Sequence, residues 1–236
     1  MSTLKTNAVT AQTTNSALTL TGNGSGLVTI GDGALTFPDA DGSASQVIQT
    51  NGSGALSFAT PAAGGGRILI GTDVAAGDAS LDVTGLNSTY DAFEIEFSDI
   101  TVGTDSVVQW LRVGDSGGID TGSSDYMWTV EQINQNGTAA AAASAGDSKM
   151  VLSNAGNIGS ATGEGWGGNF RLHRPGDGAT VPMITGQSIS KDDGGNIHSY
   201  VNAGFRNAVI TLDRVQLLAS SGTISGRMTI WGLKHG

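Results

Sequence analysis

The sequence predicts an all-β protein, with an extended N-terminal segment followed by a C-terminal antiparallel β-sandwich of jelly-roll-like type. Three observations carry this. Short runs alternate apolar and polar residues with the period of two that half-buried strands require. Gly, Ser, Asn and Asp separate these runs at regular intervals, as turns between short strands do. No segment shows the apolar stripe of an amphipathic helix.

From the N-terminus onward, the stretch Leu18–Thr60 nearly repeats itself. Asn23-Gly-Ser-Gly-Leu-Val-Thr-Ile30 returns as Asn51-Gly-Ser-Gly-Ala-Leu-Ser-Phe58, with a shorter cousin, Gly31-Asp-Gly-Ala-Leu-Thr-Phe37, between them. Each unit is a Gly-rich turn with a short strand, and one unit alone buries very little. Such units need neighbours, so this part reads as a shaft built from several chains. Leu18, Leu20, Val28, Ile30, Leu35 and Phe37 are the apolar groups that copies packed around a common axis would bury. In a single chain they are too few to offset the loss of chain entropy.

Pro61-Ala-Ala-Gly-Gly-Gly66 lacks any periodicity and reads as a linker. The division is therefore residues 1–17, 18–60 as a repeat-containing shaft, 61–66 as a linker and 67–236 as the sandwich. All four Trp and all three Tyr fall after the linker. In that part, Arg67–Gly71, Ser80–Val83, the alternation of Phe93, Ile95 and Phe97, Val107–Val113 and Tyr126–Ile133 read as strands. So do Lys149–Leu152, Asn169–His173, Met183–Ile189, Tyr200–Arg206, Val209–Leu218 and Met228–Leu233. Ala139–Ala145 has no apolar stripe to dock a helix and is expected to be a mobile loop.

Composition limits the function. Lys plus Arg number 11 against 21 Asp plus Glu, a net charge of −10, and the basic residues are scattered. That argues against nucleic acid as a partner. Cys is absent, which leans toward a bacterial or viral source over a secreted eukaryotic module. No apolar run reaches the roughly 18 residues of a membrane span. The opening Met1-Ser-Thr-Leu-Lys-Thr-Asn7 has no basic-plus-apolar leader, so release by assembly or lysis is expected.

Catalytic motifs are weak, and no catalytic residue, metal ligand or cofactor is predicted. No Gly-x-Ser-x-Gly elbow leads into a helix. Glu94 and Glu96, at i and i+2, read as a solvated sheet face before they read as paired acids. Asp115, Asp120 and Asp125 miss the spacing of a calcium loop, and Asp192-Asp193-Gly-Gly reads as a hairpin turn. Aromatics offer a better lead, because sugar rings stack on them. Trp110, Trp128 and Trp231 lie within strand patterns and are expected in core or subunit packing. Trp166 stands in Gly163-Glu-Gly-Trp-Gly-Gly168 with Arg171, His173 and Arg174 close behind. It is expected either as an exposed loop contact for a glycan or as a cap on one end of the sandwich. Tyr200 is the second aromatic candidate.

Leu35-Thr-Phe-Pro-Asp-Ala-Asp-Gly-Ser-Ala-Ser-Gln-Val-Ile-Gln-Thr-Asn-Gly-Ser-Gly-Ala-Leu-Ser-Phe-Ala-Thr60 resembles the repeat of bacteriophage tail-fibre and appendage proteins. The opening heptapeptide is similar to the start of such fibres, especially in marine phages. Tyr90–Val113, the following Gly117-Gly-Ile-Asp120 and Tyr126, and the ending Ser221-Gly-Thr-Ile-Ser-Gly-Arg-Met-Thr-Ile-Trp-Gly-Leu-Lys234 resemble their C-terminal domains. The resemblance implies a homotrimeric virion structural protein. Its N-terminus would attach to other virion proteins, and its C-terminal domain would project outward, with adhesion to a host-surface glycan. It also leaves open a head-fibre or capsid-decoration protein and, third, a fibre that cleaves polysaccharide.

Overall fold

Phe93, Ile95 and Phe97 turn to one side of a strand and are almost wholly buried, while Glu94 and Glu96 on the other side are half-buried. That alternation sets the plan of the molecule. The computed structural model describes residues 29–30, 35–38, 40–61, 66–153, 157–173 and 179–234, and no helix occurs among them. The chain forms two units, residues 1–64 and 65–236. The division falls inside the Gly-rich run 61–66.

In the first unit, β1 (Thr29–Ile30) pairs with β2 (Leu35–Thr36), and β3 (Val47–Thr50) with β4 (Leu56–Ala59), both antiparallel. The turn between β3 and β4 is the repeat motif Asn51-Gly-Ser-Gly54. The Asn51 side-chain oxygen accepts from the N–H groups of Ser53 at 2.8 Å and Ala55 at 3.1 Å. Gly52 and Gly54 take φ of 77° and 86°, a region costly for residues with a Cβ. The Asn and the two Gly of the motif are thus explained by one turn. Phe37, of the expected oligomerisation core, is half-buried. Ile30 and Leu35 lie in β1 and β2, and Leu18, Leu20 and Val28 lie outside the described residues.

The second unit adds β5 (Arg67–Asp78), β6 (Leu81–Thr84), β7 (Ala92–Val102), β8 (Gln109–Asp115), β9 (Gly118–Ile119), β10 (Tyr126–Asn134) and β11 (Ala139–Asp147). It continues with β12 (Met150–Val151), β13 (Gly165–His173), β14 (Met183–Lys191), β15 (Ile197–Arg206), β16 (Arg214–Ala219) and β17 (Ile224–Leu233). An eight-stranded sheet runs β11-β10-β15-β14-β13-β7-β17-β5, and a five-stranded sheet runs β12-β8-β16-β6 with β9 attached to β8. Every pairing is antiparallel. The two sheets share one hydrophobic core, in which Phe93, Ile95, Phe97, Phe170, Leu172, Met228 and Ile230 of the large sheet join Leu81, Leu111, Val113, Val215 and Leu217 of the small one.

Two expectations are corrected. Ala139–Ala145 is not a loop: it forms most of β11, with Ala139 to Ala143 opposite Ile133 to Thr129 of β10. The turn before it decides this. The Asn134 side-chain oxygen accepts from Asn136 N at 3.0 Å and Thr138 N at 2.9 Å, and Gly137 has φ of 78°. The chain is folded back onto β10, whose backbone groups then supply partners that outweigh the poor strand preference of alanine. The strand expected over Val209–Leu218 begins only at Arg214.

The acidic loop 115–125 is organised by turns and one arginine. Arg206 reaches Asp120 at 2.7 Å and Asp125 at 3.2 Å. Asp115 accepts from Gly117 N at 2.7 Å, and Asp125 from Gly122 N at 2.6 Å. Tyr126 is buried beneath, its hydroxyl accepting from Val113 N at 3.0 Å. Burial pushes its pKa well above the usual phenol range.

Candidate functional site

β13 lies between β7 and β14 in the large sheet. Phe170 and Leu172 point into the core, so Asn169, Arg171 and His173 project from the outer face. Register places neighbours around them. Asn169 stands opposite Glu96 and Gln187, Arg171 opposite Glu94 and Thr185, and His173 opposite Met183. The result is a groove of about 460 Å3, lined by Arg67, Glu94, Asn169, Arg171, Thr185 and Gln187.

The charges in this groove are not equally matched. Arg67 Nε lies 2.8 Å from Glu94 and its guanidinium carbon sits 3.7 Å from the centre of the Trp231 ring; Nη2 is 3.8 Å from Glu96. Arg171 makes no ion pair with a described residue, and its Nε is buried without an acceptor. His173 shares a 2.9 Å hydrogen bond with Thr185 Oγ1. Burial, with the positive charge of Arg171 adding to it, pushes the His173 pKa down. The imidazole is therefore neutral at pH 7 and acts as a hydrogen-bonding group. Such a surface can bind a polyhydroxylated molecule: it offers guanidinium and amide donors, carboxylate and amide acceptors, and rigid spacing.

Two other sequence candidates lie on the opposite face. Trp166 is not an exposed loop residue: it is 4% exposed, within β13, and its ring packs 5.1 Å from Phe97 and 6.1 Å from Phe170. The ring belongs to the hydrophobic core shared by the two sheets. The neighbouring glycines do not uncover the ring; they let the strand continue against crowded partners. A Cβ on Gly168 would come within 2.7 Å of the Ser188 Cβ. Tyr200 is 1% exposed, its hydroxyl 2.9 Å from Ser190 Oγ, and burial pushes its pKa up to about 12. Neither ring is available for stacking on a ligand at the outer face. Arg174 lies outside the described residues. Arg171 and His173 are thus the candidates that share a surface. Trp110, Trp128 and Trp231, expected in packing, are half-buried in their strands.

Arg67, Asn169, Thr185 and Gln187 were not singled out by sequence reasoning. The signal available was the alternation of β13 and β14, which assigns Asn169, Thr185 and Gln187 to an outer face without showing that the two faces coincide; Arg67, on β5, carries no such signal. Farther along that face, Ile133, Ser199 and Ile189 align across β10, β15 and β14, with Val201 and Ile197 flanking Ser199 on β15. All four of these apolar side chains are exposed. Among the described residues, no group of three or more His, Asp or Glu is placed to hold a metal ion. No protein-family model, curated protein or solved structure matches the chain.

Proposed function

We propose that the chain is a homotrimeric structural fibre of a bacteriophage virion. Its N-terminal segment forms a trimerising shaft anchored on the particle, and its C-terminal sandwich projects to bind a host-surface glycan without enzymatic action. The observation that carries the binding role is the groove on the outer face of β7, β13 and β14, where Arg67, Glu94, Asn169, Arg171, Thr185 and Gln187 sit on rigid strands. The virion assignment rests on the sequence resemblance and on the repeat, whose Asn-Gly-Ser-Gly turn makes a small hairpin with little to bury. Three weak sites on each fibre would act together, so that avidity replaces strong single-site contacts.

Two measurements test this. Antibodies against the chain should label appendages of the particle in electron micrographs. The purified full chain should bind host cells and block adsorption. Labelled particles combined with a chain that neither binds cells nor blocks adsorption would favour a second reading, a head-fibre or decoration protein. That reading is supported by the exposed apolar patch Ile133, Ile189, Ile197 and Val201, which fits contact with another protein.

A further inference from the structure

We propose that the groove between β7 and β14 selects a saccharide bearing a carboxylate, with Arg171 as the group that receives it. This rests on the adhesion reading above and adds the ligand class. The argument starts from the carboxylate nearest Arg171 in register. Glu94 stands opposite it across the β7–β13 ladder. Yet Glu94 is held by Arg67 at 2.8 Å, and Arg67 is itself fixed over Trp231. The protein thus engages the carboxylate that would have neutralised Arg171, and Arg171 forms no ion pair with a described residue.

Arg171 is half-buried and lines the groove, so its positive charge is available to an anionic group that enters there. A carboxylate suits it best, since the planar fork of arginine matches two oxygens in parallel. The surroundings supply what a sugar ring needs beside its acid group. Asn169 is two residues along the same strand face, Thr185 lies directly across, and Gln187 stands opposite Asn169. These offer donors and acceptors to ring hydroxyls. His173, neutral and bonded to Thr185, adds no second positive charge, so the preference is for one acid group at one position.

The test is titration of the full chain with several oligosaccharides, each compared with its uronate, in which the terminal CH2OH is oxidised to a carboxylate. The 15Nε–1H resonance of Arg171 is followed by NMR. Uronates should bind about ten-fold tighter than their neutral counterparts and move the Arg171 resonance. Arg171→Gln should abolish the preference. Arg171→Lys should keep part of it, because the charge remains while the fork is lost. Equal affinity for the neutral and acidic members overturns the carboxylate preference and leaves adhesion standing. Binding of uronates with the Arg171 resonance unmoved overturns the assignment of the site. Binding of no saccharide overturns both readings. If a variant fails to fold, the wild-type resonance and the affinity ratio still decide.

Discussion

The Asp192 carboxylate lies 2.9 Å from Nε2 of His198 across the turn that joins β14 to β15. Both side chains are buried, and the same carboxylate accepts from the N–H groups of Asn196 at 2.6 Å and Gly194 at 3.0 Å. The Asp-Gly turn expected from the sequence is present, but its first residue ties the turn to the interior. Burial opposes the charge on Asp192, yet the hydrogen bonds from Asn196, His198 and Gly194 outweigh it and hold the carboxyl below its usual pKa. Asp192→Ala should therefore destabilise the sandwich by about 3 kcal/mol, measured by urea unfolding. A lowered carboxyl pKa adds stability that is full above the unfolded value, near 3.8, and is lost as pH falls through the folded value. The wild type should lose stability more steeply than the variant below about pH 4.

Trp166 belongs to the core. Trp166→Ala should cost about 3–5 kcal/mol, seen as a lower urea midpoint. It should weaken any ligand binding only to the extent that the fold is lost. Among the four Trp, this one should contribute blue-shifted emission. Full stability of the variant together with specific loss of cell binding would place the ring at a ligand instead.

His173 should titrate below 6.5 in an NMR pH series, because burial and then Arg171 disfavour its charged form. Arg171→Gln should raise that value only in part, since burial is the larger cause. Below pH 6.5 the unfolded chain takes up the proton first, so His173 reduces stability as pH falls toward its folded value. No upward shift in the variant would separate the two side chains electrostatically.

The interior beneath β10, β14 and β15 is polar. Gln109, Gln132, Ser188 and Asn202 are buried and each has a side-chain atom with no partner, although Asn202 Nδ2 donates to Leu152 O at 2.9 Å. Orphaned atoms of this kind mark internal water. A crystal structure should show ordered waters on these atoms. Ser188→Ala should change stability by less than about 0.5 kcal/mol, whereas Asn202→Ala, which strands the Leu152 carbonyl, should cost about 1–3 kcal/mol. Equal costs in thermal unfolding would refute the distinction.

Residues 65–236 hold both sheets and their shared core. This fragment should fold cooperatively by itself with the melting midpoint of the C-terminal transition in the full chain. If it is anchored as proposed, it should not be incorporated into particles.

The legibility of these features varied with chemistry. Phe93, Ile95 and Phe97 announced β7 because large apolar residues at every second position have one economical arrangement. The Asp192-Asp-Gly-Gly turn was equally plain, but the His198 partner was not, because the contact depends on which face of β15 is buried. The glycines around Trp166 left its place open between an exposed loop and a cap on the sandwich, because they mark loops in most sequences and here allow close packing of β13 against β14. Ala139–Asp147 carries almost no strand signal of its own, and its conformation comes from Asn134 and the backbone of β10. For the groove, Arg171 and His173 were visible as polar residues beyond a Trp. Arg67 and Gln187 were not, since more than a hundred positions of chain separate them and only the sheet order joins them.

Arg67 is also the first residue of β5, the edge strand of the large sheet, and it pairs in register with Leu233 near the other end of the chain. In a fibre anchored and loaded as proposed, tension between the preceding polypeptide and a molecule seated in the groove would enter at that corner. It would cross the Arg67–Glu94 pair and the adjoining strands β17, β7 and β13, which separate β5 from β14 in the sheet order, and leave the five-stranded sheet aside. Such a pull would be resisted by ladders of backbone hydrogen bonds, since an ion pair as exposed as Arg67–Glu94 adds little, and the core that governs melting is a separate matter.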